Sequence, residues 1–389
     1  MPDPPPLPPL ASRGEVAPFY VMEVMKAAGA REAAGNDVLH LEVGQPSTGA
    51  PADATANLGV LLDSGALGYT DALGITPLRD RIAASYQGLY GVTVNTERVA
   101  LTTGASGAFT LTFLACFDPG ARVGLLEPGY PCYRNTLEAL NVEVVGIRVG
   151  PETRFQPTAA MLDAAGPLDG LIVASPSNPT GSALTDSELD GIAGWAKANG
   201  VRLIVDEIYH RISYGSPTPT ALSSWDQAIV INSFSKYYSM TGWRLGWIVA
   251  PNEVVERVER LAQNLTIAPP TLSQHVALAA FDCTEELDHH VERYARNREI
   301  LLEALPKAQM TTLAPADGAF YVYADVSGLT SDSQDLSRLW LEQIGIAATP
   351  GVDFDPGQGQ SWMRFSFAGS TADISDAAAR LVSWSRSNR

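Results

Sequence analysis

The chain is short of three things. Cysteine is scarce: Cys116, Cys132 and Cys283 are the only ones in 389 residues. An odd number at wide spacing outlines neither a disulfide framework nor a metal site, and points to a reducing compartment. Basic residues are outnumbered: 26 Lys and Arg stand against 43 Asp and Glu, a net charge of −17. That balance argues against binding a phosphate backbone, so no nucleic-acid partner is expected. Long apolar runs are missing as well; no stretch approaches the roughly 18 residues of a membrane helix. The five histidines (His40, His210, His275, His289 and His290) make no ligand spacing with the cysteines. The adjacent pair His289 and His290 reads as an exposed helix face. These absences lead to the expectation of a cytoplasmic protein with no metal, nucleic-acid or membrane partner.

Proline is concentrated at the start. Met1-Pro-Asp-Pro-Pro-Pro-Leu-Pro-Pro-Leu10 lacks a basic segment followed by an apolar one. It reads as a flexible or polyproline arm over residues 1–12, not as a signal peptide. The length is too great for one small core, so two domains are expected.

From residue 99 a rhythm sets in. Near-continuous apolar runs at 99–102, 122–126, 170–174, 201–205, 229–232 and 245–250, with an alternating strand at 142–149, are interspersed with helical patterns. Such runs indicate a parallel sheet buried on both faces, an α/β architecture. Thr185 and Glu188 have capping-box spacing for a helix that Gly200 ends. After Pro251 the texture changes. Helices are expected over 252–264, 285–305, 333–344 and 371–384, with strands at 318–323 and 362–367. With a helix over 18–34 and a short strand at 38–43, these form a smaller α+β domain built from both chain ends. The expected division is 13–45 for its N-terminal part, 46–282 for the large domain and 283–389 for the remainder.

In parallel α/β sheets, sites form beyond the carboxyl ends of the strands. The residues that follow the apolar runs are Gly104-Ala105-Ser106, Tyr130, Asn178, Asp206 with Tyr209, Ser233 with Lys236, and Arg244. A glycine turn opening a helix offers free N–H groups to a phosphate, although it is also an ordinary strand–helix connection. Ser233 and Arg244 add a hydroxyl and a guanidinium suited to a phosphate dianion. Asp206 ends an apolar run and needs a partner: a helix N-terminus, a magnesium ion or a protonated ring nitrogen. Tyr209 and Asn178 could hydrogen-bond a phenolate oxygen on the same ring, although Asn-Pro is by default a turn signal, and Tyr130 could stack on a ring or simply pack. Lys236 follows a buried strand, where a desolvated amine is suited to a Schiff base with a carbonyl. Phosphate, ring nitrogen, phenolate and amine together describe pyridoxal 5′-phosphate.

At this point the sequence resembles the class I/II, fold-type I aminotransferases, the aspartate aminotransferase family, from about residue 16 to 384. The motifs that carry the resemblance are Gly44-x-Pro46, Gly68-Tyr-Thr70 with Gly74-Ile-x-x-Leu-Arg79, Ser177-Asn-Pro-Thr-Gly181, Asp206-Glu-Ile-Tyr209, Ser235-Lys236 with Met240-Thr-Gly-Trp-Arg-Leu-Gly246, Gly318-Ala-Phe-Tyr321, and Arg364-Phe-Ser-Phe367. The resemblance implies that Lys236 carries the cofactor and moves the substrate's α-proton. It implies that Asp206 keeps the ring nitrogen protonated, that Asn178 and Tyr209 bond the ring oxygen, and that Tyr130 stacks on the ring. Ala105, Ser106, Ser233 and Arg244 would hold the phosphate. It also implies a homodimer with shared active sites, in which Tyr69 reaches the phosphate of the neighbouring subunit. Arg364 would clamp the substrate carboxylate, with Asn178 and Gly44 beside it. Phe19 and Tyr20 would lie on a segment that closes over the substrate.

The reaction expected from the resemblance is ping-pong transfer of an amino group between an L-amino acid and a 2-oxo acid, with glutamate and 2-oxoglutarate as the common pair. Ser106 stands where some dicarboxylate-specific relatives have a lysine, and Phe19 and Tyr20 are aromatic. Both lean towards neutral or aromatic side chains. Arg13 or Arg134 as a distal cation keeps aspartate open. The alternatives are a C–S β-lyase or other chemistry at Cα or Cβ on the same fold, or a regulatory protein that merely keeps the fold.

Overall fold

Apolar, β-branched runs of four to six residues build the central sheet, as a computed structural model of the chain shows. The structure describes residues 7–388 except 57, 64 and 66; residues 1–6 of the proline arm lie outside the described part. Helices of eight or more residues are α1 (Tyr20–Ala33), α2 (Thr76–Tyr90), α3 (Gly104–Cys116), α4 (Pro131–Ala139), α5 (Asp186–Asn199), α6 (Asn252–Leu265), α7 (Thr271–Ala280), α8 (Thr284–Lys307), α9 (Ser333–Ile344) and α10 (Thr371–Ser387). Strands are β1 (Leu39–His40), β2 (Val99–Thr102), β3 (Arg122–Glu127), β4 (Glu143–Arg148), β5 (Gly170–Ala174), β6 (Arg202–Asp206), β7 (Ile229–Ser233), β8 (Gly246–Val249), β9 (Tyr321–Asp325), β10 (Ile346–Ala347), β11 (Thr349–Pro350) and β12 (Trp362–Ser366).

Seven strands form the central sheet in the order β2-β8-β7-β6-β5-β3-β4. The pairs β3–β4, β3–β5, β5–β6 and β6–β7 are parallel, and β2, β7 and β8 are buried along their whole length. The fold is α/β, with a mostly parallel sheet flanked by helices. One strand departs from the parallel pattern: β8 runs antiparallel to both β2 and β7. A parallel return needs a crossover of a dozen or more residues, usually a helix. The connection between β7 and β8 is instead a turn-rich loop with a single 3₁₀ turn, Thr241–Trp243, so the chain comes straight back.

Helix ends follow local chemistry. In α5, Thr185 Oγ1 accepts from Glu188 N while the Glu188 carboxylate accepts from Thr185 N, and Gly200 closes the helix at φ 67°. Pro77 sits in the first turn of α2, where its missing N–H costs nothing.

A second, antiparallel sheet runs β11-β12-β9, and Arg364 sits on its middle strand opposite Thr349 and Tyr323. Helices α8 and α10 pack together nearby. The strand expected at 38–43 shortens to β1, which pairs in parallel with β10. Beyond it Leu41 bridges two partners: its N–H donates to Ala347 O at 2.9 Å and its carbonyl accepts from Ser366 N at 2.7 Å. The chain then leaves the sheet. The strand expected from residue 318 begins only at Tyr321, because Gly318 turns to the loop after β5 and donates to Gly181 O at 2.8 Å. A Cβ there would stand 2.4 Å from Pro176 Cγ and 2.7 Å from Ile212 O. Helices α4 and α7 are additions to the sequence reading. Among the described residues no helix is long and apolar enough to cross a membrane.

Thr185→Ala removes half of the α5 capping box. Its expected cost is about 1 kcal/mol, read as a lower urea midpoint with unchanged turnover.

Candidate active site

A cavity of about 340 Å³ opens at the carboxyl ends of β5, β6 and β7, under α1 and beside the irregular stretch 41–44. The structure brings eleven of the expected residues to it: Phe19, Gly44, Ala105, Ser106, Tyr130, Asn178, Asp206, Tyr209, Lys236, Arg244 and Arg364. Three others lie elsewhere, for reasons given below.

Lys236 lies three residues past the end of β7, and its Nζ donates to Gly44 O at 2.5 Å. Burial pulls its pKa down to about 8; the charges of Arg364 and Arg244 push the same way and Asp206 opposes them. Asp206 is the last residue of β6 and is 4% exposed. Its Oδ2 accepts from the Tyr133 hydroxyl and its Oδ1 from Ile208 N at 3.0 Å. Burial pushes its pKa up to about 6, against the lowering effect of both bonds and of Lys236. Above that value the cavity holds a carboxylate, and below about 8 an ammonium. Tyr209 Oη lies 2.7 Å from Tyr321 Oη, and burial holds its phenol well above the ordinary range.

Arg364 is 2% exposed, yet its partners are all neutral. Nη1 donates to Asn178 Oδ1 at 2.9 Å, and Nη2 to Glu42 O and to Thr349 Oγ1 at 3.2 Å. Its guanidinium carbon lies 4.5 Å from the Tyr321 ring centroid and 4.8 Å from that of Phe354. Nε has no partner, and among the described residues no carboxylate pairs with the group. A buried cation with no carboxylate in salt-bridge contact, felt only at longer range by Asp353, has room at the cavity for an anion. An alternating strand suggests a surface arginine; burial between β11 and β9 makes it an internal one.

The opposite end of the cavity is a phosphate-sized cradle. Gly104 opens α3 at φ +72°, and a Cβ on it would stand 2.4 Å from Arg244 Nη2. Arg244 adopts φ 51° and donates to Thr241 O at 3.0 Å. A Cβ on Gly246 would meet Ala105 N at 2.9 Å, so β8 presses directly against the first turn of α3. Gly44 needs its missing side chain too: a Cβ would fall 1.9 Å from Tyr321 Oη.

Ser233 does not reach the cavity. As the last residue of β7 it is 2% exposed; its hydroxyl donates to Leu245 O at 2.9 Å and lies 2.9 Å from Ser235 Oγ. The hydroxyl that lines the cavity is Ser235, two residues on. Tyr20 also points elsewhere. It begins α1, so Phe19 faces the cavity while Tyr20 lines a separate cleft of about 90 Å³ shared with Arg134. Tyr69 stands 84% exposed, away from its own chain's cavity.

Sequence reasoning missed Tyr133, Tyr321 and Ser235, and the face of α1 that carries Val21, Met22 and Met25. Pro131 at the start of α4 was the available signal for Tyr133: a helix there puts Tyr130 and Tyr133 at one helix entrance. Tyr321 lay in a quoted motif without a role.

The parts fit pyridoxal phosphate: a cradle that one Cβ would fill, a buried carboxylate, a lowered amine and an arginine with an orphaned Nε. These are the groups that a pyridoxal-phosphate site calls for. The chain belongs to the aminotransferase class I and II family, whose profile matches residues 36–381. It is 51% identical over 380 residues to the valine–pyruvate aminotransferase of Mycobacterium tuberculosis, covering 96% of this chain and 98% of that one. A crystal structure of an aminotransferase from M. tuberculosis superposes with a TM-score of 0.96 at 50% identity, covering 98% of this chain and 100% of that one. A putative aminotransferase from Silicibacter pomeroyi gives 0.92 at 48% identity, with 97% and 100% covered. The family depends on pyridoxal phosphate, and this chain is one of its aminotransferases.

Tyr133→Phe removes the hydrogen bond that favours the Asp206 carboxylate. Asp206 then holds its proton to higher pH. The acid limb of kcat/KM is expected to move up by about one pH unit, measured as a pH–rate profile against the parent enzyme.

Proposed function

We propose that the enzyme moves the amino group of a neutral L-amino acid to a 2-oxo acid, releasing one 2-oxo product before the second binds. The observation that carries the reading is Arg364: a buried guanidinium with neutral hydrogen-bond partners and a free Nε, lining a cavity whose α1 wall is apolar. It is suited to receive an α-carboxylate in bidentate fashion.

Lys236 would bond covalently to the cofactor's carbonyl carbon at rest, and Asp206 would hold the proton of its ring nitrogen. Asn178 gives its Oδ1 to Arg364, which leaves its Nδ2 to donate to the ring oxygen beside Tyr209. Backbone N–H groups of Ala105 and Ser106, the Ser235 hydroxyl and Arg244 would hold the phosphate, with Ser233 supporting Ser235 from behind. Tyr130 would lie against the ring. Bound, the cofactor supplies the electron sink that makes the α-proton removable. Arg364 fixes the substrate carboxylate, and with it the direction of the Cα–H bond. Lys236 Nζ, lowered to about 8 by burial, takes that proton and returns it as general base and acid.

The substrate's side chain would meet Val21, Met22, Met25 and Phe109. Arg134 is not free to meet a second carboxylate: it pairs with Glu127, and with Glu138 at 3.7 Å, and faces the neighbouring cleft. Arg13 is not among the cavity's lining residues. Aspartate is therefore disfavoured, and so is glutamate with 2-oxoglutarate as the preferred pair. The likeness to a valine–pyruvate aminotransferase supports a neutral donor with a short neutral oxo acid.

The exposed ring of Tyr69 supports a homodimer in which each subunit offers that tyrosine to the other's phosphate. The three free thiols support a cytoplasmic setting.

A spectral half-reaction with a panel of amino acids tests the reading. Neutral donors are expected to convert the cofactor band and aspartate not to. Pyruvate and ammonia released without an acceptor would instead indicate a β-lyase. Lys236→Ala is expected to abolish the half-reaction. Arg364→Lys, which loses the bidentate fork, is expected to raise KM about 100-fold.

A further inference from the structure

Helix α1 forms one wall of the cavity through Val21, Met22 and Met25, with Phe19 just before it. Its beginning lacks a cap of its own: Phe19 makes no side-chain cap bond. The first free N–H groups of a helix need acceptors. Here they find them far along the chain. Tyr20 N donates to Asp353 Oδ1 at 3.0 Å and Val21 N to Asp353 Oδ2 at 3.3 Å. A carboxylate at this end also suits the helix dipole.

Asp353 is 7% exposed and ends the 3₁₀ turn Gly351–Asp353 that follows β11. That turn is rigidly built, since a Cβ on Gly351 would fall 2.5 Å from Gly359 O. Its flanks both touch Arg364: Thr349 Oγ1 accepts from it and the Phe354 ring lies against it. One short stretch therefore supports the carboxylate-binding arginine and caps the wall helix.

The other end of α1 is tied differently. Glu32 reaches His40 at 3.1 Å, and Arg31 donates to Asp37 O and Glu342 O at 3.3 and 3.2 Å. Only Val21 and Ala28 of the helix are buried. Val21 lies in the first turn itself, so the cavity-facing end is held by the two Asp353 bonds together with the packing of that one side chain.

We propose that Asp353 is a positioning residue for substrate recognition: it latches the first turn of α1 to the turn that supports Arg364, and so sets how closely the α1 wall meets the substrate's side chain. The inference rests on the neutral-donor reading above. It assigns a selective role: recognition of the side chain depends on the latch, and recognition of the carboxylate depends on Arg364 itself.

The test compares Asp353→Ala and Asp353→Asn with the parent holoenzyme, using alanine, valine and leucine as donors. For Asp353→Ala, which removes both acceptors, KM for leucine is expected to rise about tenfold. Valine should rise less and alanine least. Asp353→Asn keeps one acceptor and should fall between the parent and the alanine variant. Hydrogen exchange of the holoenzyme, followed by mass spectrometry, should show faster exchange over residues 20–25 in both variants, with the Arg364 strand unchanged. Equal KM changes for all three donors, or unchanged exchange at α1, overturn the latch. If the parent uses none of the three donors, the neutral-donor reading fails, and the exchange measurement still decides whether Asp353 holds the helix.

Discussion

A guanidinium buried with only neutral groups in hydrogen-bond contact is the constraint on which this molecule turns. Arg364 keeps its charge at any ordinary pH, so its desolvation must be met by dipoles. Asn178 Oδ1, Glu42 O and Thr349 Oγ1 supply them, and two aromatic faces supply the rest. Each acceptor comes from a different part of the chain. The strand at 38–43 cannot continue as a strand, because Glu42 O is needed at Arg364 and Gly44 O at Lys236. Irregular backbone there is the means by which both cations are held at one wall of the cavity.

Two further groups are brought out of their normal ranges by the same burial. Asp206 rises to about 6 and Lys236 falls to about 8. Desolvation is the leading cause for each, and it works in opposite directions on an acid and a base. Their mutual attraction opposes both shifts, yet it is outweighed. What results is an amine that titrates near neutrality, the range in which a general base serves best, and a carboxylate that is ionised above about 6.

Most of the fold was legible because the signals were local. β-branched runs, the Thr185–Glu188 cap and Gly200 fix their elements with neighbours a few residues away. The site was legible in outline because strand ends collect polar residues in this kind of sheet. What was not legible depended on phase and direction. Ser233 still belongs to β7 while Ser235 lies two residues past its end, and Phe19 and Tyr20 differ only in where a helix starts. The reversal of β8 follows from a loop whose lack of a crossover helix the sequence does not announce. The burial of Arg364 was not legible from its strand, because alternation tells which residues share a face, not whether another strand covers it.

The wall helix and the reacting groups belong to separate stretches of chain. Lys236, Asp206 and Arg244 lie on the central sheet's strand ends and loops, and α1 joins them only at the cavity's mouth. Substitutions along α1 leave the cradle, the carboxylate and the amine untouched. Such a division lets a lineage explore new amino acids one side chain at a time while its chemistry stays inherited, and duplication of a gene of this kind starts with recognition already free to drift.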